Sequence, residues 1–259
     1  MIPPSIALSA LVVLGLCVGS FLNVVIARLP AGRSIVSPGS ACPRCGTPIA
    51  WYDNLPVLSY VLLRGRCRKC RERISWRYPG VEIGCAMLFA LAYYRFESGV
   101  AFTAALVLLA GLVAITAIDL DHQIIPDVLS LPGIILGLLF SLAPGGIGWM
   151  SSLLGVAVGG GVFVVIIAAS VLVIGQAGMG IGDVKLGAML GAFLGWKLAL
   201  LSILLSVLLG GPLAATLLAT GRKARKDPIP FGPFLALGGL ISLFWGDAVL
   251  AWYFEQFLD

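Results

Sequence analysis

Two sets of side chains in this sequence have types and spacings suited to chemistry: four cysteines in two C-x-x-C pairs, and four carboxylates in two turns beside apolar runs. The cysteines read Cys42-Pro-Arg-Cys45 and Cys67-Arg-Lys-Cys70, with 21 residues between the pairs. Two such knuckles make a closed shell of four thiolates, the usual cage of structural Zn²⁺. Neighbouring Arg and Lys favour thiolate over thiol. Paired disulfides or a redox role are the alternatives, and a cytoplasmic location disfavours lasting disulfides. A catalytic zinc would keep one position open for water and take His or carboxylate ligands, whereas the only histidine, His122, lies in another loop.

The carboxylates crowd two places. The turn from Ile118 to Asp127 carries Asp119, Asp121 and Asp127, and Gly178-Met179-Gly180-Ile181-Gly182-Asp183-Val184-Lys185 supplies a fourth acid. Acids at the edge of apolar runs are costly and mark function. Two that approach closely cannot both ionise readily, so one keeps a proton while the other activates water, which suits hydrolysis of an amide without a metal. Asp119 lies nearest the apolar run, and on a helix Asp121 points about 200° away from it. Asp127, after Pro126, suits a cap or first helical turn, and Asp121 and His122 suit a solvated loop. Asp119 and Asp183 are therefore the candidate pair. Gly180 and Gly182 let the backbone approach a neighbouring helix or an extended peptide, with plain helix packing the alternative. A nucleotide-binding glycine loop would need a βαβ context that is missing here. Lys185 either holds the carboxylates by charge or sits at the interface.

The elements that must position these groups are membrane helices. Of the 259 residues 59% are hydrophobic and 11% charged, with a mean hydropathy of +1.04, against roughly a quarter charged in soluble domains. This excludes an ordinary soluble enzyme and a disordered chain. Runs near Ile6–Ile26, Val81–Tyr94, Ala101–Ile118, Val128–Leu142, Met150–Ile174 and Phe231–Tyr253, with Val184–Thr220 split at Gly195-Trp196-Lys197, predict about eight spans of an all-α polytopic protein. The first reads as an uncleaved helix. Cys17 and Cys85 fall inside runs and suit small packed positions.

Charge divides the chain. Residues 27–78 hold ten basic groups against Asp53 and Glu72, a net +8, while the remainder is net −3. The expected organisation is a first membrane helix at 1–26, a basic zinc-binding insert at 27–79 and a membrane body at 80–259. The positive-inside bias puts the insert in the cytoplasm and the N-terminus outside. Alternation then puts the basic Gly221–Pro228 loop and both acidic turns on the cytoplasmic face. Nucleic-acid binding lacks the motif it would need. A transporter would place its acids near the midplane, and a purely recruiting zinc-bearing anchor leaves the Asp pairing unexplained.

Several motifs together resemble the bacterial type IV prepilin peptidases. They are Gly19-Ser20-Phe21-Leu22-Asn23 through Pro30, the two C-x-x-C pairs, Arg77-Tyr78-Pro79-Gly80-Val81-Glu82, the Asp119 turn ending Ile125-Pro126-Asp127, Gly180-Ile181-Gly182-Asp183, and Ile229-Pro230-Phe231-Gly232-Pro233-Phe234. The resemblance implies a multi-pass aspartic peptidase of the inner membrane that removes the basic leader of prepilins and of type II secretion pseudopilins. Asp119 and Asp183 stand at the matching catalytic positions. It further implies N-methylation of the new N-terminus with S-adenosylmethionine, with Glu82 and the Arg77–Pro79 stretch as candidates for that chemistry. Some shorter relatives that lack the cysteine insert are peptidases only, so a peptidase lacking methylation is the alternative. The basic insert should repel a basic leader; it is expected to act as a lid, a zinc-braced scaffold or a contact to anionic lipid, with Glu82 or Asp53 meeting leader charges.

Overall fold

The computed structural model describes residues 3–96, 99–176, 178–220 and 230–257. Among these the regular structure is helical, apart from two isolated antiparallel bridges. The helices are α1 (Pro4–Arg28), α2 (Leu58–Leu62), α3 (Arg77–Arg95), α4 (Val100–His122), α5 (Asp127–Leu142), α6 (Trp149–Ile174), α7 (Ile181–Ala219) and α8 (Gly232–Phe257). Each predicted run is helical, and α7 is broken at Gly195, whose φ of +76° and ψ of 171° are not helical. Helices α1, α4, α6, α7 and α8 are long and apolar enough to cross a membrane; α5 is shorter. Their outer faces are apolar too, with Leu172 and Val173 86% and 84% exposed, as lipid-facing side chains are.

The chain forms two compact units, Met1–Glu97 and Ser98–Asp259. In the first, α1 packs against α3. A methyl group on Gly15 would come 2.6 Å from the Cα of Ala86, and one on Gly19 2.6 Å from that of Glu82. The Asn23 side-chain amide donates to the Tyr78 carbonyl at 3.0 Å. Contacts 15/86, 19/82 and 23/78 make the pair antiparallel, with small residues allowing the backbones close together. Cys85 is fully buried in this unit, but Cys17 is exposed, contrary to the packed position expected for it.

In the second unit α7 packs against α5, α6 and α8. Gly155 and Gly159 of α6 lie so close to Gly191 and Gly187 of α7 that a methyl group on any of them would overlap opposing backbone. The Ser152 hydroxyl adds a 2.7 Å bond to the Ala192 carbonyl. The core between these helices and α4 contains Leu108, Leu112, Phe163, Leu186, Leu190 and Leu235.

Candidate active site and metal site

Helix α4 runs one turn past the expected end because Gln123 adopts a left-handed conformation, φ 55°, and its N–H closes on the Asp119 carbonyl at 2.9 Å. Asp119 thus stands in a last helical turn, 5% exposed, while Asp121 and His122 are exposed beyond it. Asp183 stands in the first turn of α7, 8% exposed. Each carboxylate accepts a backbone N–H: Gly232 donates to Oδ2 of Asp119 at 3.0 Å, and Gly180 to Oδ2 of Asp183 at 3.2 Å. The two aspartates lie within electrostatic reach of each other. The site joins the C-terminus of α4 to the N-termini of α7 and α8, and helix N-termini present unpaired N–H groups and a positive dipole end to carboxylates.

Contacts around this pair fix the two turns together. Gly182 packs on Ile125, and an added methyl group would come within 3.0 Å of the Ile125 Cβ. Lys185 ion-pairs with Asp127 at 2.5 Å, so its recorded partner is neither candidate catalytic carboxylate. Asp127 is the first residue of α5, in the first turn where it was expected. Gly232 is the residue the sequence reading passed over, quoting it only within a motif. A glycine between two prolines at a helix start was the available signal.

The four cysteine sulfurs lie within 4.8 Å of one another. The two knuckles are built alike. In the first, Cys42 N–H donates to the Thr47 carbonyl and Gly46 N–H to the Cys42 carbonyl; in the second, Cys67 N–H donates to the Glu72 carbonyl and Arg71 N–H to the Cys67 carbonyl. Each is closed by a bridge, Ala41 to Pro48 and Arg66 to Arg73, and each has a left-handed residue after its second cysteine, Gly46 or Arg71. A tetrahedron with Zn–S bonds of about 2.3 Å puts sulfurs about 3.8 Å apart. Cys42 and Cys70 sulfurs stand at 3.7 Å, so the donor set fits.

Polar neighbours favour the thiolate at two of the four cysteines. The Thr47 hydroxyl and then the Thr47 backbone bring Cys45 down to about 6, and amides of Cys70 and Lys69 lower Cys67. The Glu72 amide favours the Cys70 thiolate, yet desolvation and the three neighbouring sulfurs outweigh it and hold Cys70 up at about 11.

Neither acid expected to meet a basic leader is open to one. Arg68 binds Asp53 through two hydrogen bonds of 2.6 and 2.7 Å and holds its carboxyl below the usual carboxylate range. Glu82 is buried, and its carboxylate accepts the Val57 N–H at 2.7 Å. An adjacent cleft of about 320 Å³, lined by Val12, Leu16, Val57, Ile83, Met87 and Ala90, is apolar and does not fit a charged methyl donor. The Gly221–Pro228 loop lies outside the described residues, apart from Thr220 before it.

Two family models match the chain: the bacterial peptidase A24 N-terminal domain over residues 13–96 and the type IV leader peptidase family over 106–215. A prepilin leader peptidase/N-methyltransferase of Aeromonas hydrophila is 39% identical, covering 98% of this chain and 96% of its own. A protein of the same name from Pseudomonas aeruginosa is 41% identical, over 94% of this chain and 92% of that one. Another from Myxococcus xanthus is 47% identical over 70% of this chain and 54% of its own. No solved structure matches.

Proposed function

The chain belongs to the type IV leader peptidase family, and from that premise we propose that it is a multi-pass inner-membrane enzyme that cuts the leader from prepilins and pseudopilins at the cytoplasmic face and methylates the new N-terminus. The observation that carries the peptidase reading is the convergence of Asp119 and Asp183, both buried and each held by one backbone amide. One oxygen of each carboxylate is held by an amide, which leaves the other for the reaction. The ionised aspartate takes a proton from water as the water oxygen attacks the scissile carbonyl. The protonated aspartate supplies a proton, and when the C–N bond breaks the departing amine leaves protonated.

Membership of the family supports the rest of this proposal. A basic leader and an apolar substrate helix place the scissile bond at the membrane edge, where both carboxylates end their helices. The N-terminus is then periplasmic and the 27–79 insert cytoplasmic, joining a first helix at 1–26 to the peptidase body at 80–259. Cys42, Cys45, Cys67 and Cys70 hold structural zinc, which closes the two knuckles on each other. Gly180, Gly182 and Lys185 position the substrate-facing turn. For methylation with S-adenosylmethionine we propose Glu82 as the candidate residue; its carboxylate accepts the Val57 N–H.

The test is incubation of purified protein with a prepilin and labelled S-adenosylmethionine, following both mass loss and methyl gain. Asp119→Asn and Asp183→Asn should each abolish leader cleavage, a loss of at least roughly 10⁴-fold, while bound metal is unchanged. Normal cleavage by either variant overturns the dyad, and cleavage without methyl gain leaves a peptidase only.

A further inference from the structure

We propose that helix α2 and its flanking tryptophans form an interfacial membrane contact, seated in the anionic phospholipid surface on the side of the bilayer that carries the cysteine insert. Helix α2 is inside out. Ser59 is 6% exposed, its hydroxyl donating to the Tyr52 carbonyl at 3.0 Å, whereas Leu58, Val61 and Leu62 are 52%, 64% and 71% exposed. These three leucine and valine side chains fall at i, i+3 and i+4, one stripe of the helix. A stripe of that kind facing water, with a serine turned inward, is the reverse of what an aqueous surface selects.

Three further observations name lipid as the occupant. Val57, the residue before α2, lines the same apolar cleft as Val12 and Leu16 of α1 and Ile83 and Met87 of α3, so the stripe adjoins the apolar surface of α1, a helix long and apolar enough to cross a membrane. Trp51 and Trp76 are 80% and 78% exposed, and Trp76 immediately precedes α3. Tryptophan at such a junction suits the headgroup level. The charge is complementary as well. The insert's two acids are both engaged, Asp53 by Arg68 and Glu72 by Arg44, while Arg64, Arg66, Lys69, Arg71 and Arg73 stand exposed around the stripe's end of the chain. An exposed apolar stripe and a cluster of exposed cations in one segment are the two signals that hold it on an anionic leaflet. The net +8 of the insert, which a basic leader would avoid, is thereby matched to headgroups.

Full-length, metal-loaded protein with the photoreactive residue p-benzoylphenylalanine at position 62 tests this in vesicles of phosphatidylcholine, with and without phosphatidylglycerol. Irradiation should give lipid adducts by mass spectrometry, roughly threefold or more when phosphatidylglycerol is present. The variant Arg64→Glu should reduce that enhancement with its metal content unchanged. Adducts mainly to a second copy of the chain or to added prepilin overturn the proposal, as do lipid adducts indifferent to phosphatidylglycerol. Cleavage of prepilin is read separately and does not decide the outcome.

Discussion

A methyl group on Gly232 would stand 2.6 Å from Oδ2 of Asp119, the oxygen that receives the Gly232 N–H. Gly232→Ala therefore pushes the carboxylate off its amide while leaving the acid itself in place. Misplacing a reacting group by about 1 Å costs about 10²-fold, so kcat for prepilin cleavage should fall by roughly that factor with little change in KM. Steady-state kinetics beside a metal assay checks it. Lys185 makes the contrasting case. Its partner Asp127 is 58% exposed, and such pairs contribute only about 0.2–1 kcal/mol. Lys185→Met and Asp127→Asn should each lower cleavage only a few-fold, and the double variant should be no worse than the weaker single. A Lys185 effect far above the Asp127 effect would show the ammonium acting on the catalytic pair directly. Both predictions concern contacts that spacing alone does not reveal. The types and placing of Asp119, Asp183 and the cysteines could be read from scarcity of charge and from C-x-x-C spacing. The Gly232 amide could not, because it comes from a segment 113 residues away.

At the scale of elements, apolar runs locate helices well, since a helix in lipid must be apolar over most of its length. The eight predicted segments are all helical, and the Gly195 break is where a Gly-Trp-Lys corner suggested it. The end of α4 was placed too early because its last turn is polar, and a polar turn looks like loop until Gln123 is seen to close it. Helix pairing was less legible. Glycines are frequent here, 33 in all, and composition does not say which of them meet. Gly155 and Gly159 against Gly191 and Gly187 are the ones that set the α6–α7 distance. Gly191→Leu should force those helices apart, destabilising the fold by about 1–3 kcal/mol as overpacking does. The thermal midpoint in detergent should drop, whereas Gly211→Leu, with open space around it, should leave it nearly unchanged. The two knuckles were legible from the C-x-x-C spacing, but their shared backbone turn was not, because its left-handed position is Gly46 in one and Arg71 in the other.

At the scale of the molecule, the four-cysteine cluster belongs to one compact unit, Met1–Glu97, and the carboxylate pair to the other, Ser98–Asp259. Each unit has its own packing, so removing the metal should injure the first far more than the second. The pH dependence follows from the thiols. Metal ligation requires thiolates, and any thiol still protonated at neutral pH must lose its proton on binding. Cys45 is brought down to about 6 and favours the thiolate at pH 7, while Cys70, held up at about 11, is a thiol that must release a proton when metal arrives. The metal-free form thus binds more protons than the loaded form, and affinity rises with pH and falls as pH drops. Acidification from pH 7 toward pH 5 should release zinc steeply, as Cys45 begins to hold a proton as well. A chromophoric chelator monitors the release. Cys42→Ser with Cys67→Ser should abolish the binding and, because the pair Asp119 and Asp183 does not depend on those sulfurs, should reduce methyl transfer more than leader cleavage. Equal loss of both activities, with the second unit still folded by proteolysis, would mean that the metal-bearing unit is needed for peptide hydrolysis as well.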